Sequence, residues 1–267
     1  MSPLLTLPPL VMGVLNVTPD SFSDGGRYLD TASAVAHGRR LIADGAAVVD
    51  VGGESSRPGA VAVTEADELR RVVPVIEALA SEVRVSIDTV KPGVARAAIA
   101  AGVTLINDVS GSPALAQVAG ELGVGYVVMH RSGSPQTMQI DPHYDDVVID
   151  VKTFLAERAA HAAAAGVDEI WVDPGIGFGK TMDHNLSLLR HLDQVVALGY
   201  PVLVGTSRKS FLGRLLAESD GTVEPVATDD RLEASLATAT WAMVHGAAMI
   251  RVHDVRASVQ AAKVVAA

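Results

Sequence analysis

Short apolar runs recur along the whole chain, and each is followed by a longer stretch with helical spacing. The runs are rich in β-branched residues and continuous rather than alternating, as expected of strands that are buried on both faces. They predict eight strands, at residues 10–15, 47–51, 83–87, 104–106, 126–129, 170–172, 202–204 and 249–252.

The stretches between these runs predict helices. In one of them Leu69, Val72, Val73, Ile76 and Leu79 fall on one face, which should pack against the sheet. Glycine follows several of these stretches, which suits the left-handed turn that ends a helix. The predicted helices are residues 31–44, 65–81, 92–101, 114–122, 147–165, 183–198, 231–245 and 255–265.

Regular alternation of strand and helix predicts a parallel α/β fold, and eight units favour a closed (β/α)8 TIM barrel over an open sheet. The 267 residues suit one barrel of about 250 residues, and no linker interrupts the pattern, so residues 1–267 are expected to form a single domain. Irregular stretches at 16–30, 52–64 and 131–146 follow strands and belong to the expected active-site face. Residues 218–230 look like a surface insertion.

Composition excludes several classes of function. A formal net charge of −10 argues against a nucleic-acid partner, and no apolar run approaches the roughly 20 residues of a membrane helix. The chain has no cysteine, which excludes disulfides and thiol nucleophiles and fits a reducing compartment. The N-terminal residues 1–15 contain prolines and lack the basic region of a signal peptide. We therefore expect a soluble, cytoplasmic protein.

Carboxylate and amide side chains end several predicted strands. Asp88, Asn107 and Asp173 occupy equivalent positions and could converge on a flat, nitrogen-rich ring. A carboxylate can accept paired hydrogen bonds from an amino group and the adjacent ring N–H. For each residue alone a helix N-cap is the simpler interpretation, but three equivalent positions weaken it. Asp50 also ends a strand and could equally be a buried acceptor for backbone N–H groups.

Two loops of the N-terminal quarter could bind cations or anions. Asn16 offers a neutral oxygen suited to Mg²⁺ that keeps most of its waters and meets phosphate. The alternative is an Asx turn. In residues 52–60, glycines and the cation of Arg57 could grip an anion, although a polar turn with a solvated arginine is as good an interpretation.

The C-terminal half adds cations. Residues 173–181 resemble a phosphate loop but lack the glycine spacing of a Walker A motif, so an NTPase is rejected. The glycines allow close approach of a ligand, and Phe178 could form an apolar or stacking wall. Arg208 and Lys209 should point apart, and we expect Lys209 to enter the site. Arg251 and His253, two residues apart in a strand, can face one diphosphate together. The alternative places Arg251 in a bridge and bonds His253 to a carboxylate; His130 is expected to be structural.

Taken in order, eight blocks closely resemble those of the dihydropteroate synthase family. They run from residue 12 to about residue 256 and read MGVLNVTPDSFSDGG, DVGGESSRPGA, SIDT, LINDVSG, VMHRSGSPQTMQ, DPGIGFGKT, GTSRKSF and IRVHDV. The resemblance implies a (β/α)8 barrel, usually a homodimer. It also implies that a dihydropterin diphosphate is joined to 4-aminobenzoate, releasing diphosphate and forming 7,8-dihydropteroate for folate synthesis.

The resemblance also assigns residues by matching position. It implies that Asn16 binds Mg²⁺ and diphosphate oxygens. Pterin diphosphate would be bound by Ser56, Asp88, Asn107, Asp173, Lys209, Arg251 and His253. The aminobenzoate side would be formed by Ser56, Arg57, Pro58, Phe178, Lys209 and Ser210. The residues implied to act in catalysis are Asp88, Lys209, Arg251 and His253.

One departure and two alternatives remain. Ser56 stands where many relatives have threonine, so the hydroxyl is kept and a methyl contact is lost. A pterin-binding methyltransferase domain would share the barrel, but it needs neither the Ser-Arg-Lys loop at 207–209 nor the Arg-x-His pair at 251–253. A non-catalytic pterin-binding paralogue is disfavoured because the first loop, residues 16–26, and the second loop, residues 52–60, are intact.

Overall fold

The structure is a computed structural model that describes residues 8–18, 27–55, 59–134 and 136–267, with only the backbone of 27–30. The predicted site residues Ser56, Arg57 and Pro58 lie outside the described residues, as does most of the loop after Asn16.

The described strands form one sheet of eight parallel strands in the order β6-β5-β4-β3-β2-β1-β8-β7. A parallel bridge between Val172 and Val202, with the Val172 N–H donating to the Pro201 carbonyl at 3.0 Å, joins β6 to β7. The ring is thereby closed, which confirms the predicted barrel. The strands are β1 Leu10–Asn16, β2 Val48–Gly52, β3 Arg84–Asp88, β4 Leu105–Asp108, β5 Gly125–Met129, β6 Ile170–Asp173, β7 Leu203–Val204 and β8 Met249–Val252.

Helices surround this ring, and none in the described part of the chain is long and apolar enough to span a bilayer. The glycines expected to end helices have positive φ, for example Gly123 at +64° after α4. The helices are α1 Arg27–Ala43, α2 Glu65–Leu79, α3 Pro92–Ala100, α4 Pro113–Leu122, α5 Val147–Ala164, α6 Met182–Arg190, α7 Leu192–Val196, α8 Ser210–Ser219, α9 Leu232–Val244 and α10 Val255–Val265.

The structure departs from the predicted local structure at three places. The helix predicted at 183–198 is broken into α6 and α7 at His191, whose φ and ψ are −112° and 30°. Helix α8 was not predicted, because residues 205–211 were read as a ligand loop. The segment 218–230 is also more than a surface insertion: Arg231 donates to the Val226 carbonyl, and the Val226 N–H donates to Gly213 of α8.

The barrel interior is filled by one apolar layer, and the polar mouth lies directly above it. The layer consists of Met12, Val48, Leu105, Val127, Trp171, Leu203 and Met249. Because side chains two apart in a strand share a face, the residues two positions further along point into the barrel mouth. From Val48, Leu105, Trp171 and Met249 this step leads to Asp50, Asn107, Asp173 and Arg251. The packed layer therefore forms the floor of the candidate site.

The approach of α4 to the end of α5 gives a stability prediction. A Cβ added at Gly120 would overlap the carbonyl oxygen of Ala165. We expect Gly120→Ala to destabilise the protein by about 1–3 kcal/mol through overpacking. In a free helix the same change would stabilise by about 0.5–1 kcal/mol.

Urea unfolding measures this difference. Gln117→Ala, on the exposed face of the same helix, is the control and should change stability by less than about 0.5 kcal/mol. A gain in stability in Gly120→Ala would show that helix propensity outweighs the contact.

Candidate active site

Arg251 is the centre of a charged network in the barrel mouth. Its Nε donates to Oδ2 of Asp50 at 2.6 Å, and its Nη2 donates to Oδ2 of Asp88 at 2.8 Å. The same Asp50 oxygen accepts from Nδ2 of Asn107 at 2.9 Å. Asp50 is fully buried. It accepts from two side chains of the site, so the suggestion that it serves backbone N–H groups was wrong.

The electrostatics of this network centre on Asp88. Burial raises its pKa to about 7, the positive charge of Arg251 opposes the rise, and the negative charge of Asp50 adds to it. One guanidinium thus faces two buried carboxylates. Asp88 can therefore gain or lose its proton near neutral pH.

A second cluster lies across the mouth, at the end of β6. Asp173 is buried, its Oδ1 accepts from the Gly175 N–H at 2.7 Å, and burial raises its pKa. Lys209 donates to the Ile176 carbonyl, and its Nζ lies 4.6 Å from the centre of the Phe178 ring. Burial lowers the pKa of Lys209 to about 8, while the charge of Asp173 opposes the change. Lys209 therefore enters the site, as expected.

Asp88, Asn107 and Asp173 are not helix caps. The helices that follow β3, β4 and β6 have their N-caps at Lys91, Ser112 and Thr181. The side chains of Asp88, Asn107 and Asp173 are thereby left to the barrel mouth, and the capping alternative fails for all three.

The end of β8 carries His253. Its Nδ1 lies 3.0 Å from the Ser207 hydroxyl, which also accepts from the His253 backbone N–H at 3.1 Å. In the tautomer in which Nδ1 accepts from the Ser207 hydroxyl, the ring proton lies on Nε2. Arg208 pairs with Asp254 at 2.7 Å, which confirms that it points away from Lys209. Arg251 does form a bridge, as the alternative proposed, between Asp50 and Asp88.

Asn16 and Asp88 lie on either side of Gly52. The register pairs Asn16 with Gly52, and Gly52 with Asp88. A Cβ on Gly52 would lie 3.7 Å from Oδ1 of Asn16 and 3.8 Å from Oδ2 of Asp88, so glycine leaves this space open. Among the described residues no three acidic, histidine or cysteine side chains could hold a metal together. An amide oxygen does fit Mg²⁺, which keeps several waters and binds substrate phosphates rather than all-protein cages.

The start and end of the second loop are held by polar contacts. Lys91 donates to both Glu54 and the fully buried Glu68, and Glu54 also accepts from the Val63 N–H at 2.9 Å. From the β5–α5 loop, Gln136 donates to the Ala60 carbonyl at 2.9 Å. These contacts fix the described ends of the segment that contains residues 56–58.

A depression between these two loops contains a residue to which the sequence assigned no role. Arg131 lines it together with Asp88, Thr89 and Val109. Burial lowers the pKa of Arg131, and within the described ranges this side chain has no hydrogen bond or ion pair. Its position directly after β5 was the only available signal. Ser210, at the first position of α8, is exposed.

The glycines of 174–181 bring the backbone into close contact with its neighbours. A Cβ at Gly175 would overlap the carbonyl oxygen of His130, and one at Gly179 would overlap that of Ser132. Both glycines have a φ of +65°. Lys180 is only 3% exposed. Because this lysine is directed into the protein, rejection of a Walker A motif was correct.

Comparisons with known proteins agree with this geometry. The family model described as "Pterin binding enzyme" matches residues 12–253. Dihydropteroate synthase of Mycobacterium leprae is 52% identical and covers 97% of this chain and 93% of its own length.

Two solved structures of the Xanthomonas albilineans dihydropteroate synthase are similar throughout. The structure with 4-aminobenzoic acid has a TM-score of 0.88 and 46% identity, covering 97% of this chain and 92% of that one. The complex with 7,8-dihydropteroate has a TM-score of 0.85 and 44% identity, covering 98% and 94%. Since sequence blocks, barrel and near-full-length relatives agree, this chain belongs to the dihydropteroate synthase family of pterin-binding enzymes.

Proposed function

We propose that this protein joins a dihydropterin diphosphate to 4-aminobenzoate, releasing diphosphate and forming 7,8-dihydropteroate in folate synthesis. The observation that carries the proposal is the Arg251 network, in which one cation, two carboxylates and one amide meet at the barrel mouth. Relatives solved with 4-aminobenzoic acid and with 7,8-dihydropteroate support the choice of substrates.

The pterin would bind to the carboxylates and the amide. Asp88, Asn107 and Asp173 point into the mouth from three strands and offer acceptors for the ring amino group and N–H groups. Lys209, beside Asp173, would donate to a ring oxygen or nitrogen. The apolar layer below would support the flat ring.

The diphosphate would bind on the β8 and β1 side. Arg251 supplies a guanidinium that stays charged, and His253 would present its Nε2–H to the leaving oxygens. Asn16 would hold Mg²⁺ through its amide oxygen, with diphosphate oxygens and water as the other ligands. When bound, the ion neutralises charge on the leaving group.

Aminobenzoate would occupy the outer part of the mouth. Phe178 offers a half-buried aromatic face, and Lys209 lies above this ring. Exposed Ser210 is adjacent in sequence to Lys209. Ser56, Arg57 and Pro58 would complete this side, and the held ends of the second loop support that placement.

The reaction breaks the bond between the methylene carbon and the diphosphate oxygen, and it forms a bond from that carbon to the amine nitrogen. The amine then loses one proton. Arg251 and His253 would stabilise charge that accumulates on the leaving oxygens. Ionised Asp88 would stabilise positive charge spreading into the pterin. A neutral arylamine needs no base before it attacks.

The organisation of the protein in the cell is also part of the proposal. We expect residues 1–267 to act as one domain, to form a homodimer and to work in the cytoplasm. Trp241 and Val244 on α9 are 47% and 65% exposed, and such apolar side chains support a surface covered by a second copy.

The direct test follows diphosphate release from the pterin diphosphate with and without 4-aminobenzoate at several Mg²⁺ concentrations. We expect stoichiometric diphosphate and dihydropteroate only when the amine is present. Binding of the pterin without any amine-dependent product would exclude the synthase and favour the binding paralogue.

Asp88→Asn should reduce turnover by about 10²–10³-fold, because the variant loses the negative charge that faces the pterin. In the wild type, kcat/KM should rise with pH through about 7 as Asp88 ionises, and this acid limb should vanish in the variant. Initial rates from pH 5 to 9 measure both effects. Asp193→Asn, at an exposed position on α7, is the control, and unchanged kinetics in Asp88→Asn would remove Asp88 from the charge argument.

Asn16→Ala should raise the Mg²⁺ concentration for half-maximal rate about tenfold, the effect of losing about 1.4 kcal/mol of binding. Removal of Mg²⁺ with a chelator should abolish the difference between variant and wild type. Gln117→Ala, which removes an exposed amide from α4, should leave the Mg²⁺ dependence unchanged. The same Mg²⁺ dependence in Asn16→Ala would exclude Asn16 as a ligand.

A further inference from the structure

Lys180, a buried residue of the loop 174–181, contacts two carbonyl groups of the same loop. Nζ of Lys180 lies 2.9 Å from Nδ1 of His130, 3.0 Å from the Gly175 carbonyl oxygen and 3.1 Å from the Phe178 carbonyl oxygen. An ammonium group has three hydrogens, one for each of these acceptors. The His130 carbonyl is more distant, at 3.4 Å. A charged lysine can donate to all three groups, whereas a neutral amine could pair with all three only by accepting from a protonated Nδ1.

His130 is suited to accept from this ammonium. Burial and then the charge of Lys180 lower the pKa of His130 to about 3, so the ring is neutral at physiological pH. The ring is held in place by an edge contact with Phe154, centroid to centroid 5.0 Å, and by Tyr144 at 5.9 Å. In the tautomer with its proton on Nε2, the neutral ring offers Nδ1 as an acceptor for Lys180.

The other side of the same loop contacts the candidate site. The Ile176 carbonyl accepts from Lys209, and the Phe178 ring lies under the Lys209 ammonium. Gly175 and Phe178, whose carbonyls accept from Lys180, flank this acceptor. Gly175 and Phe178 are thus tied to Lys180 on the inner side, and Ile176 and Phe178 are tied to Lys209 on the substrate side.

We propose that Lys180, held by His130, is a positioning residue that sets the place of Phe178 and of the Ile176 carbonyl against Lys209. It would thereby shape the aminobenzoate side of the site without touching a substrate. The inference rests on the proposed function, because the affected substrate is the arylamine.

Other contacts should keep the loop folded when Lys180 is changed. The Gly177 N–H donates to Asn185 at 2.6 Å, Gln139 donates to the Gly177 carbonyl at 2.8 Å, and Tyr144 donates to the Gly179 carbonyl at 2.7 Å. Loss of the lysine should therefore release the carbonyls of Gly175 and Phe178, while Gly177 and Gly179 stay anchored.

Lys180→Met keeps most of the apolar stem and removes the three donors. We expect the KM for 4-aminobenzoate to rise at least tenfold, while the Kd for pterin diphosphate, measured by titration calorimetry, changes less than threefold. Amide hydrogen exchange at Phe178, whose N–H donates to the Gly175 carbonyl, should accelerate at least tenfold. Lys263→Met, on the exposed surface of α10, is the control and should change none of these values.

A pair of His130 variants separates the hydrogen bond from packing. Asparagine places an oxygen near the position of Nδ1, whereas leucine fills similar volume without an acceptor. His130→Asn should leave the KM for 4-aminobenzoate and the amide exchange rate close to their wild-type values. His130→Leu should change both in the same way as Lys180→Met. This pair decides the matter even if Lys180→Met fails to fold.

Equal effects of asparagine and leucine, or equal losses for pterin and arylamine in Lys180→Met, would overturn the positioning role. Absence of amine-dependent product in the wild type would instead overturn the proposed function. In that case hydrogen exchange still tests whether Lys180 and His130 hold the loop.

Discussion

The ion pairs of Arg251 with Asp50 and Asp88 are the interaction on which the mouth depends. The three residues come from β8, β2 and β3, and β1 lies between β8 and β2 in the ring. These strands are neighbours because the last strand, β8, pairs with the first, β1. Removing one partner of a buried ion pair typically costs about 3–5 kcal/mol, since the other charge is left unpaired. The closed barrel therefore preorganises the charges that would meet the pterin and its diphosphate.

The period of the strands connects this site to the hydrophobic core. Four inward residues of the apolar layer are followed two positions later by a polar residue of the mouth, as Trp171 is by Asp173. The apolar floor and the polar side chains of the mouth thus lie on the same strands and cannot move independently. Burial raises the pKa of Asp88 to about 7 and lowers that of Lys209 to about 8, so both groups titrate near neutral pH.

The loops add a second level of support. Lys91 holds Glu54 of the second loop, and Lys180 holds the carbonyls of the loop that carries Phe178. Lys91 and Lys180 donate their hydrogen bonds to protein groups, whereas Lys209 lies on the substrate side. The three lysines therefore have different roles, which depend on where the fold places each of them.

The sequence alone determined the eight strands, the barrel and most residues of the mouth, because strand period and helix spacing are local properties. It also separated Lys209 from Arg208. Tertiary structure decided the rest: that Asp50 binds Arg251, 201 residues away, that Arg131 lines the depression, and that Lys180 turns inward. A local pattern indicates which face a side chain takes. The partner on that face depends on closure of the ring, which joins distant segments.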